Sequence, residues 1–296
     1  MRADSVDNRH TGQAAPPPAR AGGCRAAVAW MFPIGPRGAG AALSITSIYW
    51  IVFLGLIVGL VWAGVFRMAW RVFGEETRNL RLIPALAVVL IEVFLTGRRL
   101  LAGWVRALDV AGPSPRQPDE PALGGTQSAQ AALILVLSVL TQWALIATIE
   151  RSSPWWPSSQ DWRHYFNWLY PAPIYRPLIL APLWGRWAIL LAACVGRSAA
   201  DADPTARSLS SLVTPGRLLI AAALPLFLNS IYFSRDGNLL LGLVAALLVF
   251  FITYLVTVLF AYRGNGQTAA SMFASGQAAQ LAFLAVYRAL WPLVHG

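Results

Sequence analysis

The feature that most constrains this chain is a series of long apolar stretches with one charge or none. Ile48–Phe66 runs nineteen residues without one Asp, Glu, Lys or Arg. A helix needs about 20 apolar residues to cross a hydrocarbon core of about 30 Å. Comparable stretches follow at Ala129–Ile149, Leu218–Phe233 and Leu239–Tyr262, and Leu82–Gly97, Pro177–Val195 and Met272–Val294 each enclose a single charge. The expected fold is therefore all-α: a polytopic membrane helix bundle of about six to seven transmembrane helices. Composition agrees, since 57% of the residues are hydrophobic and only 12% charged, against about 25% charged in soluble domains.

All 23 basic residues are Arg, set against 13 acids for a net charge of +10. They are dispersed among the polar loops, with no basic run and no nucleic-acid recognition motif beside them. Arginines flanking apolar spans meet lipid head groups, so the expected partner is the bilayer and not nucleic acid. Because nearly every loop carries Arg, charge asymmetry does not set the orientation. Cys24 and Cys194 form no CxxC or metal-binding spacing, and His10, His164 and His295 are scattered.

Two parts are expected: a mostly disordered tail over residues 1–44 and a membrane-embedded domain over 45–296. The tail is rich in Ala, Pro, Gly and Arg, a composition that buries no core, although Ala26–Ile34 is apolar enough to touch the membrane interface. A Pro/Gly-rich linker covers Gly112–Gln127. Residues 150–176 interleave prolines with Trp155, Trp156, Trp162, Tyr165, Trp168, Tyr170 and Tyr175. That segment reads as an aromatic belt at head-group depth, with a stacking platform for a substrate as the alternative. No internal repeat of fixed period is present.

Ionisable residues at membrane depth are the default functional candidates: here Glu92, Arg186 and Arg288. Each has a plainer reading, as a helix–helix hydrogen bond or as an Arg whose stem carries its charge to the interface. After the second stretch, Leu101, Trp104, Val105 and Leu108 share one helical face, while Arg99, Ala102, Arg106 and Asp109 share the other. This spacing predicts an amphipathic helix at the membrane surface.

The same segment, running from Leu95-Thr96-Gly97 through Leu101 and Gly103 to Asp109, resembles the signature of the cobalamin synthase (adenosylcobinamide-GDP ribazoletransferase) family, roughly LTGGLHLDGLADTADG. Three other stretches resemble that family in order and spacing. They are Tyr49–Leu60 (YWIVFLGLIVGL), Leu180–Trp187 (LAPLWGRW) and Arg263–Ala270 (RGNGQTAA) with the apolar helix after it. The resemblance covers about residues 25–296. It implies a multi-pass enzyme of the cytoplasmic (inner) membrane that joins α-ribazole or its phosphate to adenosylcobinamide-GDP, releases GMP and requires Mg²⁺. Carboxylates would hold the metal against the diphosphate, where it neutralises the leaving group.

The chain departs from that pattern at its acids. Ala102 and Arg106 stand at the first two aspartates of the signature, Leu100 at its histidine, Ala269-Ala270 at a terminal Gly-Asp pair, and Gln280 at a later glutamate. Only Asp109 remains, as the candidate catalytic carboxylate. The candidate metal ligands are Asp109, Asp201 and Asp203, with a solvated turn as the plainer reading of Asp201-x-Asp203. Arg99, Arg106, Arg186, Arg263 and Thr268 are the candidate contacts to a corrinoid or nucleotide substrate. At Arg106 a guanidinium can bind phosphate directly, while an Arg106–Asp109 pair or head-group binding is the simpler role. The resemblance with these losses implies a catalytically degraded member. The alternatives are a non-catalytic binding or scaffold partner and an unrelated transporter-like membrane protein.

Overall fold

A computed structural model describes residues 23–32, 43–73, 82–96, 99–110, 126–149, 174–200, 202–234 and 239–295. Among them ten helices form: α1 (Gly23–Met31), α2 (Ile45–Phe73), α3 (Leu82–Thr96), α4 (Arg99–Val110), α5 (Thr126–Ala147), α6 (Tyr175–Cys194), α7 (Pro204–Leu212), α8 (Pro215–Ser234), α9 (Leu239–Arg263) and α10 (Ala269–His295). Among the described residues there is no strand, only an isolated bridge between Ser198 and Gln267. Helix is the structure expected of apolar chain in lipid, because it satisfies its own backbone donors and acceptors without water.

Seven helices overlie the seven apolar stretches. Five of them (α2, α6, α8, α9 and α10) contain spans long and apolar enough to cross a membrane, while Leu82–Thr96 and Ala132–Ala147 are shorter apolar helices. The protein is a multi-pass membrane helix bundle. Large apolar side chains such as Phe94, Leu219, Leu240 and Phe251 point outward, as helices facing hydrocarbon require. The linker at 112–125 and the aromatic segment at 150–173 lie outside the described residues, as do residues 1–22 and 33–42 of the tail. Tyr175, the last aromatic of its segment, begins α6 and is buried edge-on against Phe66.

Helix α6 is the axis of the molecule and is buried along almost its whole length. Lipid offers no hydrophobic incentive for one helix to prefer another, so small residues that admit close backbone approach carry the association. Here α2 presents Gly55 and Gly59 four residues apart. A Cβ on Gly55 would fall 2.9 Å from Leu183 Cα and Pro182 O, and one on Gly59 would fall 2.7 Å from Ile179 Cα. On the opposite flank Gly185 and Gly276 meet reciprocally, each hypothetical Cβ 2.9 Å from the other residue's carbonyl oxygen. Glycine is thus required on both sides of α6, where α2 and α10 press against it.

Two helices fall where no membrane span was expected. Within the tail, α1 buries Ala26, Ala27, Trp30 and Met31. In the polar segment after α6, α7 begins at Pro204 with Asp203 as its N-cap.

Candidate functional site

At one end of the bundle, the α9–α10 turn meets the segment after α6 and helix α4. The α9–α10 turn reverses through Asn265 (φ 50°) and Gly266 (φ 131°). It docks on the segment after α6, where the Gln267 amide donates to Arg197 O at 2.8 Å and the Ala199 amide to Gln267 O at 3.0 Å. A Cβ on Gly266 would fall 2.7 Å from Ala199 N, so only glycine fits this crossing at that φ. Helix α4 lies against the same turn. A Cβ on its Gly103 would meet Phe273 Cβ at 2.6 Å and Ala270 O at 2.9 Å, and Trp104 stands edge-on to Phe260 at 5.9 Å. Leu100, Gly103 and Ala107 face inward, while Ala102 and Arg106 are exposed as the periodicity predicts.

Each candidate then has a place. Arg106 is exposed on α4, and Asp109 lies on the last turn of that helix, its side chain outside the described residues. Arg263 is exposed on the last turn of α9. Thr268 caps α10: its Oγ1 accepts the Ser271 amide at 3.2 Å while the Thr268 amide donates to Ser271 Oγ at 2.9 Å. Asp203 Oδ2 accepts the Thr205 amide at 3.1 Å, the role of a helix N-cap. Asp201 lies outside the described residues. Arg99 Nη1 donates to Ala29 O at 3.1 Å and to Trp30 O, and burial pushes its guanidinium below the ordinary value. Among the described residues, no three His, Cys, Asp or Glu side chains converge on one point.

Arg186 is elsewhere, at the centre of the membrane domain. It is 0% exposed and stands 3.9 Å from Glu92 Oε1, itself on a residue only 4% exposed. That separation makes an ion pair without a hydrogen bond. Glu92 Oε2 instead accepts from Gln142 Nε2 at 2.5 Å, and Gln142 Oε1 accepts from Gln277 Nε2 at 3.1 Å. Three helices, α3, α5 and α10, are thereby joined by amides that all donate toward the carboxylate, the polarity that favours its charge. Gln280, fully buried, lies beside Gly185, whose Cβ would fall 2.6 Å from Gln280 Cγ. The three nitrogens of Arg186, Glu92 Oε1, Gln277 Oε1 and both amide atoms of Gln280 have no hydrogen-bond partner among the described residues.

Sequence reasoning singled out Glu92 and Arg186 as intramembrane charges but did not join them. It did not select Gln142 and Gln277. Their signal was present: uncharged polar residues inside apolar helices, with Gln277 and Gln280 at i, i+3 on one face.

The four segments that carry the family resemblance make one connected unit. Helix α2 (49–60) packs on α6 (180–187) through Gly55 and Gly59, α6 packs on α10 through Gly185 and Gly276, and α4 crosses the start of α10 through Gly103. Fold and site together define a multi-pass helical membrane protein with a motif-bearing end and a charged cluster at mid-depth. The sequence model of one family, cobalamin-5-phosphate synthase, matches residues 25–287. The chain belongs to the cobalamin-5-phosphate synthase family, which sets aside the reading of an unrelated transporter-like protein. No curated protein and no solved structure matches the chain.

Proposed function

We propose that this chain is a divergent cobalamin synthase of the cytoplasmic membrane with little or no ribazoletransferase activity. Family membership supports a cobalamin synthase-like function, in the late assembly of the cobalamin nucleotide loop on adenosylcobinamide-GDP. The observation that carries the finer reading is the composition of the α4 surface beside the α9–α10 turn. Ala102 and Arg106, both exposed there, stand at two motif aspartates, and Ala270 stands at a third. Carboxylates at such positions would hold a Mg²⁺ ion, which would supply neutralisation of the diphosphate leaving group. An alanine and a guanidinium supply no ligand for it.

The purified chain in detergent, given adenosylcobinamide-GDP, α-ribazole and Mg²⁺, is expected to release GMP no faster than the protein-free control. It is likewise expected not to complement a strain lacking an intact synthase. Robust turnover in either test overturns the reading.

The exposed guanidinium of Arg106 favours a second reading, a non-catalytic partner that holds the nucleotide or corrinoid substrate at the membrane. Arginine meets phosphate bidentately without a metal. Under this reading adenosylcobinamide-GDP binds without turnover, and Arg106→Glu weakens binding at least tenfold. Equal affinity of the two proteins removes it.

A further inference from the structure

Three contacts join helix α1 to its neighbours. Arg99, the first residue of α4, donates to Ala29 O and Trp30 O in the last turn of α1. Those carbonyls are among the four that a helix leaves without an internal partner at its C-terminus, and a guanidinium there also answers the negative end of the helix dipole. Next, the Trp30 ring stacks on Phe273 of α10 with centroids 4.9 Å apart. Phe273 is the side chain against which Gly103 of α4 packs, its Cβ 2.6 Å from the Cβ that glycine lacks. Lastly, the other end of α1 is pinned on α2, where a Cβ on Gly23 would fall 2.9 Å from Thr46 Cβ.

We infer that Gly23–Met31 is a docked strap that fixes α4 against α10, and that Arg99 is its latch, a positioning residue and not a substrate contact. The geometry assigns the guanidinium to the chain's own backbone. With Nη1 on two carbonyls, a bound anion would have to displace the strap to reach that nitrogen. The strap lies within residues that a composition of Ala, Gly and Arg had placed in the tail. It is independent of whether the chain retains transferase activity.

The two cysteines report on it. Cys24 sits on the strap and Cys194 at the end of α6, both free and partly buried. In the purified full chain, Arg99→Gln is expected to raise the rate of maleimide labelling at Cys24 at least tenfold, leaving the rate at Cys194 within twofold. Trp30→Ala, which leaves α4's own sequence intact, is expected to give the same ranking and serves if Arg99→Gln does not yield folded protein. Millimolar inorganic diphosphate is expected to leave Cys24 labelling of the parental chain unchanged. An unchanged Cys24 rate in the variants overturns the inference. So does a parallel rise at both cysteines, which would make Arg99 a support of the whole bundle. A diphosphate-induced rise at Cys24 would return Arg99 to the anion.

Discussion

A guanidinium at the centre of a membrane domain, with no hydrogen-bonding acceptor among its described neighbours, is held by charge alone. At 3.9 Å the Glu92 carboxylate is the counter-ion of Arg186; Gln142 of α5 donates to that carboxylate and is itself held by Gln277 of α10. Removing one member of a buried pair strands the other and costs about 3–5 kcal/mol. Glu92→Gln and Arg186→Met should therefore each lower stability by about that much in a denaturant titration in mixed micelles. Glu92→Gln combined with Arg186→Met should cost clearly less than the sum, because neither charge is then orphaned. Simple additivity would mean that the two side chains do not interact.

At the scale of the element, Asp203 shows how a candidate ligand can serve a helix instead. Its carboxylate accepts the Thr205 amide at the start of α7. Asp203→Ala should cost about 1 kcal/mol, whereas Asp203→Asn, an equally good N-cap, should melt as the parent does. Magnesium should leave the melting temperature of parent and Asn variant alike; a rise confined to the parent would restore the metal role. The long helices were legible because nothing but a span accounts for blocks as free of charge as Ile48–Phe66. Helix α7 was not, since a nine-residue polar helix looks like loop until its cap is seen. Helix α1 was signalled only by the apolar stretch Ala26–Ile34, because the Pro- and Gly-rich residues around it suggested a mostly disordered tail. On α4 the alternation of faces announced which residues are exposed, Ala102 and Arg106 among them. Its neighbours could not be read from that alternation, because the contacts with α1 and α10 join residues about 70 and 170 positions apart. The same distance along the chain concealed the Glu92–Arg186 pair although each charge was conspicuous alone.

Taken as a whole molecule, the bundle is organised by backbone contact on both flanks of α6. Gly59→Ala would drive a methyl group toward Ile179 Cα at 2.7 Å, and overpacking of this kind costs about 1–3 kcal/mol. Gly64→Ala, five residues further along α2 with nothing within 4 Å of its added carbon, is the matched control and should change stability by no more than a few tenths of a kcal/mol. Equal melting of the two variants in detergent would show that the α2–α6 seam tolerates separation. If the seam is as tight as these distances indicate, α2, α6 and α10 cannot slide past one another by even a fraction of a helical turn. Whatever rearrangement accompanies the arrival or departure of a bulky ligand must then leave this trio rigid and be borne by helices such as α8 and α9, whose flanks meet lipid.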